Sequence, residues 1–139
     1  MIKVMLALNL LQGTRLVVLN QIGDDVMKIS YAGQNFDLTV NGDFEKSLAP
    51  NLPLTLTFKQ NGRHEYFGQL PTTIDDSQQL TSQVVAGGIY FFQDWQAFSL
   101  NYADRDIAPY QVSYLGRFPA ALVSILRTQK QSLDLTLKN

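Results

Sequence analysis

The sequence predicts a mainly β protein: a closed barrel of about eight strands with two short helices capping its ends. Three observations carry this. Short runs alternate apolar and polar residues, as strands with one buried face do. Turn residues separate the runs regularly, and two of the separations are tight hairpin signals. Two stretches with helix signals interrupt the strands, and neither an internal repeat nor a low-complexity tract is present.

The elements follow in order. Gly23-Asp24-Asp25 closes an N-terminal arm, residues 1–25, and the barrel domain takes residues 26–139. "VMKISY" and "QNFDLTV" flank Ala32-Gly33 as a hairpin, with Phe36, Leu38 and Val40 on its buried face. Asn41-Gly42-Asp43 opens a short helix with Asp43 as its N-cap, Phe44 and Leu48 on its apolar side, and Pro50 and Pro53 ending it. "LTLTFK" alternates strictly, so Thr55 and Thr57 form a face that is either solvated or lines a groove. Asn61-Gly62 marks the second hairpin tip, and "HEYFGQLP" returns. Residues 72–83 are polar and aperiodic, which predicts a long surface loop. "GGIYFF" and "AFSLNY" form a strand pair around Gln93-Asp94-Trp95, with Gly87-Gly88 as a bend before the first of them. "YQVSYLGRF" follows a charged turn, Pro119 suits the first turn of a helix reaching about Gln129, and "LDLTL" is the last strand.

Composition narrows the function. The 139 residues are enough for one domain with a real core, 45 % are hydrophobic, and only 17 % are charged. Eleven basic and twelve acidic residues give a net charge of −1 with no run of either sign, so nucleic acid is not an expected partner. Without cysteine there is no disulfide or thiol chemistry, and one histidine cannot make a histidine metal cluster. No metal and no cofactor are expected. The apolar run from Val4 to Leu11 is too short to span a bilayer. It reads as an extra element packed on the domain or on a second subunit, a route to a homo-oligomer. A truncated export leader is the alternative, and a cytoplasmic location is the expectation.

The succession of elements, with "YFGQLP", "AGGIYFF", "FSLNY" and "LGRF", resembles the bacterial cyclophilin-like domain proteins, small barrels that share the cyclophilin fold. The resemblance covers roughly residues 26–138 and leaves the arm unmatched. It rests most on Gly68 to Pro71, Gly87, and Leu115-Gly116-Arg117. Where that family often carries an aspartate after the glycine, this chain has Gly88. True cyclophilins are prolyl isomerases, so the resemblance implies that activity as a candidate. Their hallmark is an arginine in a Phe-His-Arg pattern on the strand after the first helix. Here the corresponding strand, residues 53–59, holds neither arginine nor histidine. Likeness of fold does not carry the activity.

Candidate site residues are weighed against ordinary structural roles. Aromatics crowd the second half of the domain, and most of them are expected to pack the core with hydroxyls at the rim. The set with the best claim to line a ligand cleft is Tyr66, Leu70, Phe92, Trp95, Phe98, Tyr102, Tyr114 and Arg117. Trp95 sits at a turn, an unusual home for an indole unless it serves as a flap. Arg117 lies among apolar neighbours and is expected to satisfy loop carbonyls or pair with Asp104 or Asp106. His64, beside Gly62 and Arg63 at a hairpin tip, is expected to face solvent, and Asp75-Asp76, Asp104 and Asp106 read as solvated turns. No catalytic elbow, phosphate loop or dinucleotide fingerprint occurs, so no catalytic residue is assigned. The leading expectation is a barrel that binds a small molecule or an extended peptide without catalysis. The second is a peptidyl-prolyl isomerase with a rearranged site.

Overall fold

The computed structural model describes residues 25–74 and 80–139. The arm up to residue 24, with Arg15, and the Asp75-Asp76 pair lie outside them. The first hairpin joins β1 (Asp25–Tyr31) to β2 (Gln34–Val40). Its turn residues Ala32 and Gly33 take φ of 51° and 82°, the doubly left-handed turn whose twist matches the paired strands. Helix α1 (Gly42–Leu48) follows, capped by Asn41, whose side-chain oxygen accepts the Phe44 N–H at 2.7 Å. Asp43, the expected cap, instead lies inside the first turn because the helix begins earlier.

The chain continues through β3 (Leu54–Asn61) and β4 (Glu65–Gln69) to two short pieces, β5 (Leu80–Thr81) and β6 (Gln83–Val84). The predicted loop over residues 72–83 therefore contains strand. Its backbone groups find partners because β5 adds to the edge of β10, and β6 pairs with β9. Then come β7 (Gly88–Phe92), β8 (Ala97–Asn101), β9 (Arg105–Asp106) and β10 (Val112–Arg117). Helix α2 (Ala120–Thr128) and β11 (Leu133–Lys138) complete the fold. Pro119 caps α2 in extended geometry rather than starting its first turn.

The long strands run in the order β2-β1-β11-β3-β4-β8-β7-β10, and β10 pairs back onto β2, giving a closed eight-stranded antiparallel barrel. Closure depends on Gly116. A Cβ there would meet the Thr39 carbonyl oxygen at 2.0 Å and the Val40 Cα at 2.8 Å, so only glycine lets the two backbones approach. A bulge between Tyr114 and Gly116 bends β10 toward this seam.

Alternation becomes burial as the sequence predicts. Phe36, Leu38 and Val40, then Leu133, Leu135 and Leu137, point into one core, and both helices contribute to it through Phe44, Leu48, Leu122 and Leu126. Phe98 is central to it, stacked on Phe44 at 5.6 Å and edge-on to Phe58 at 6.1 Å. The threonine face of β3 is solvated: Thr55 bonds Thr136 and Thr57 bonds Asp134 across the exposed sheet surface. No described helix is long and apolar enough to cross a membrane.

Candidate functional site

Strand β8 is buried on both faces. Its inward residues, Phe98 and Leu100, belong to the barrel core. Its outward residues, Ala97, Ser99 and Asn101, are small or polar, and something must cover them. The cover is the chain from Asp104 to Val112. It is held by the β6–β9 pairing, by Ile107 N–H donating to the Ser82 carbonyl at 2.8 Å, and by Ala86 N–H donating to Asp104 Oδ1 at 2.9 Å. Between this cover and the sheet lies a cavity of about 450 Å³.

Strand register decides what lines it. On the outer face of the sheet, β4 and β8 place Glu65 opposite Asn101 and Phe67 opposite Ser99. Val84, Ile107 and Val112 form the far wall, part of a small apolar cluster separate from the barrel core. Phe92 supplies the aromatic side, edge-on to Trp95 at 5.5 Å and to Tyr110 at 6.1 Å. Beneath Ser99's neighbourhood, Tyr90 folds over Gly88, where a Cβ would meet its ring at 2.5 Å, and its hydroxyl accepts the Val85 N–H at 3.1 Å. The aspartate of the resembling family is therefore replaced by space that an aromatic ring fills. Burial raises the Tyr90 hydroxyl above its ordinary range; Tyr114 and Asp104 push the same way against the Val85 N–H.

The polar end gathers residues from three loops and strands. His64 is 7 % exposed, so the expectation that it faces solvent is overturned. Its carbonyl is fixed by Tyr102 N–H, and its ring folds back over Gly62, where a Cβ would collide at 2.6 Å. The ring Nδ1 lies 3.1 Å from the Gly62 carbonyl oxygen, which can only accept, so Nδ1 carries the hydrogen. Nε2 lies 3.6 Å from Glu65 Oε2, and that oxygen accepts from Asn61 Nδ2 at 2.6 Å. Arg105 donates to the same Gly62 carbonyl. Asp106 Oδ1 takes the Ala108 N–H at 2.9 Å. Asn101, 1 % exposed, donates its Nδ2 to Ser99 Oγ at 3.1 Å, but its Oδ1 has no partner among the described residues. Among these residues no group of three histidine or acidic side chains converges as a metal site would require.

The predicted site residues separate into four places. Phe92 and Trp95 line the cavity, with Trp95 63 % exposed at its rim. Tyr66, Leu70, Phe98 and Tyr102 are inside the barrel core; Tyr66 donates to the Gln131 carbonyl, and the Tyr102 hydroxyl accepts from Gln60. Tyr114 is exposed on the outer wall, edge-on to Tyr90. Arg117 is exposed in a more open groove of about 550 Å³ with Asn35, Asp37 and Thr39. Its expected pairing with Asp104 or Asp106 does not form, because those carboxylates cap backbone N–H groups elsewhere.

Sequence reasoning missed His64, Glu65, Ser99, Asn101, Arg105 and Tyr110 as one constellation. A signal existed in "AFSLN", where small and polar residues alternate with Phe98 and Leu100. That pattern ordinarily marks a wet face, and nothing local announces a cover that arrives from later in the chain.

Residues 29–138 match the model of the cyclophilin-like family. Among solved structures, the barrel is similar to the solution structure of the hypothetical protein AF2241 from Archaeoglobus fulgidus. The TM-score is 0.63 at 13 % identity, over 83 % of this chain and 94 % of that one. It is also similar to the structure of McbB in complex with tryptophan, with a TM-score of 0.57 at 12 % identity, over 81 % of this chain and 44 % of that one. No curated protein matches the sequence. At such identities these structures share a fold, and a shared fold alone assigns no chemistry.

Proposed function

The chain belongs to the cyclophilin-like family, and from that premise we propose that it binds a small molecule in the cavity over β8, without catalysis. One observation carries the reading: Asn101 lines the cavity, and its buried Oδ1 has no partner among the described residues. A buried unpaired acceptor costs about 1–3 kcal/mol, a penalty that a donating ligand removes. The surroundings suit such a ligand. A volume of about 450 Å³ lies within the range of pockets for small molecules, and aromatic walls with few polar groups are their usual lining. McbB, of similar fold, forms a complex with tryptophan, which supports a small aromatic molecule over an extended peptide.

Prolyl isomerisation has weaker support. Arg105, rather than Arg117, is the arginine brought to the cavity, and it is engaged with the Gly62 carbonyl. The discriminating experiment is a thermal-shift screen of small aromatic compounds and proline peptides, since any ligand of the native state raises apparent stability. A saturable rise with an aromatic compound, removed by Ala97→Phe, is the expected result. Silence across the screen, or a rise that Ala97→Phe leaves intact, would overturn the reading.

A further inference from the structure

We infer that the ligand carries an amine on an aromatic body, an arylalkylamine, and presents its N–H to Asn101 Oδ1; this rests on the small-molecule reading above. The amide oxygen at the cavity's polar end is acceptor-only, so the group that satisfies it must donate. Glu65 and Asp106 outnumber Arg105 among the charged side chains of the cavity, and that balance selects the kind of donor. Glu65 stands directly opposite Asn101 across the β4–β8 ladder, a placement that brings side chains within about 5 Å, and Asp106 lines the same cavity. The donors nearby are engaged within the protein: His64 Nδ1–H and an Arg105 N–H go to the Gly62 carbonyl, Asn61 Nδ2 to Glu65 and Asn101 Nδ2 to Ser99. A ligand carboxylate at Asn101 would face an unpaired oxygen and a carboxylate, whereas an ammonium would satisfy the oxygen and be attracted by the charge of Glu65, which already accepts from Asn61.

The apolar end selects the body. Phe92 makes perpendicular ring contacts with Trp95 and Tyr110, and Phe67 lies beside Ser99 on the sheet. A flat ring fits against such a wall, and an ammonium held near aromatic faces gains cation–π attraction as well.

Trp95 is the single tryptophan of the chain and lines the cavity, so its emission reports occupancy by phenyl probes that do not themselves fluoresce there. The test compares 2-phenylethylamine with 3-phenylpropionate, which share a body and differ in the head. The expected result is at least about tenfold tighter binding of the amine. Asn101→Leu and, separately, Glu65→Gln should each shrink that preference, because each removes an attraction for the amine and a repulsion of 3-phenylpropionate. The wild-type ratio stands even if a variant folds poorly. Equal or tighter binding of 3-phenylpropionate would overturn the inference and leave the small-molecule reading standing. Failure of both probes would also overturn it, and the reading itself falls only if the broader screen is silent too.

Discussion

The two faces of β8 are equally buried and differently built. Inward, Phe98 and Leu100 are wedged among Phe44, Phe58 and the rest of a continuous apolar core. Outward, Ala97, Ser99 and Asn101 lie under a separate cover, beside a cavity and with one acceptor left unpaired. Close packing is what holds a fold together, and a face buried without being filled has a shape that packing does not account for. The difference teaches where to look for function: at burial that packing does not explain.

The largest effect should come from the seam that makes both faces possible. Gly116→Val places side-chain carbon against the Thr39 carbonyl and should abolish cooperative unfolding of a closed barrel. A melting curve with a near-normal transition would show that the β2–β10 seam yields easily.

Next in size is a direct contrast between the faces. Phe98→Ala should cost about 3–5 kcal/mol of stability in chemical denaturation, while the folded protein retains wild-type ligand affinity. Phe92→Ala should cost less, because its side chain is only partly buried, but should weaken binding of an aromatic ligand at least about tenfold. If Phe98→Ala proves the more damaging to binding in folded protein, the separation of core from site fails.

The smallest effect is a pH dependence shared by both regions. Burial chiefly raises the hydroxyls of Tyr66 in the core and Tyr90 beneath the outer cluster. Both phenols are protonated in folded and unfolded chains below about pH 10, so their contribution to stability is full there. As pH rises further, the unfolded chain releases its protons first, and stability falls through the raised native values. Tyr66→Phe or Tyr90→Phe should flatten that alkaline loss in denaturation measured across the window; an unchanged slope would contradict the assigned cause.

The barrel was legible in the sequence because each strand announced its inner face locally. Phe36-Leu38-Val40 and Leu133-Leu135-Leu137 need no knowledge of their partners to be read. The site was not legible for the opposite reason. Asn101 is polar and looks solvated until Asp104–Val112 folds over it, and His64 looks like a hairpin tip until Gly62 makes room for its ring. Phe92 and Trp95 could be named as candidates from their type and their place at or beside a turn, whereas Tyr66 and Phe98, equally aromatic, are turned into the core by strand parity. Arg117 misled because strand alternation turns its side chain out into an open groove instead of into the apolar core.

The most direct test of the account is an amide chemical-shift map recorded while 2-phenylethylamine is titrated into the protein. The account predicts saturable shifts at Glu65, Phe67, Ala97, Ser99, Asn101 and along residues 104–112, with the groove of Asn35, Asp37, Thr39 and Arg117 unmoved. Shifts concentrated around Arg117, with Ser99 and Asn101 silent, would contradict it and return the arginine to the centre of the problem.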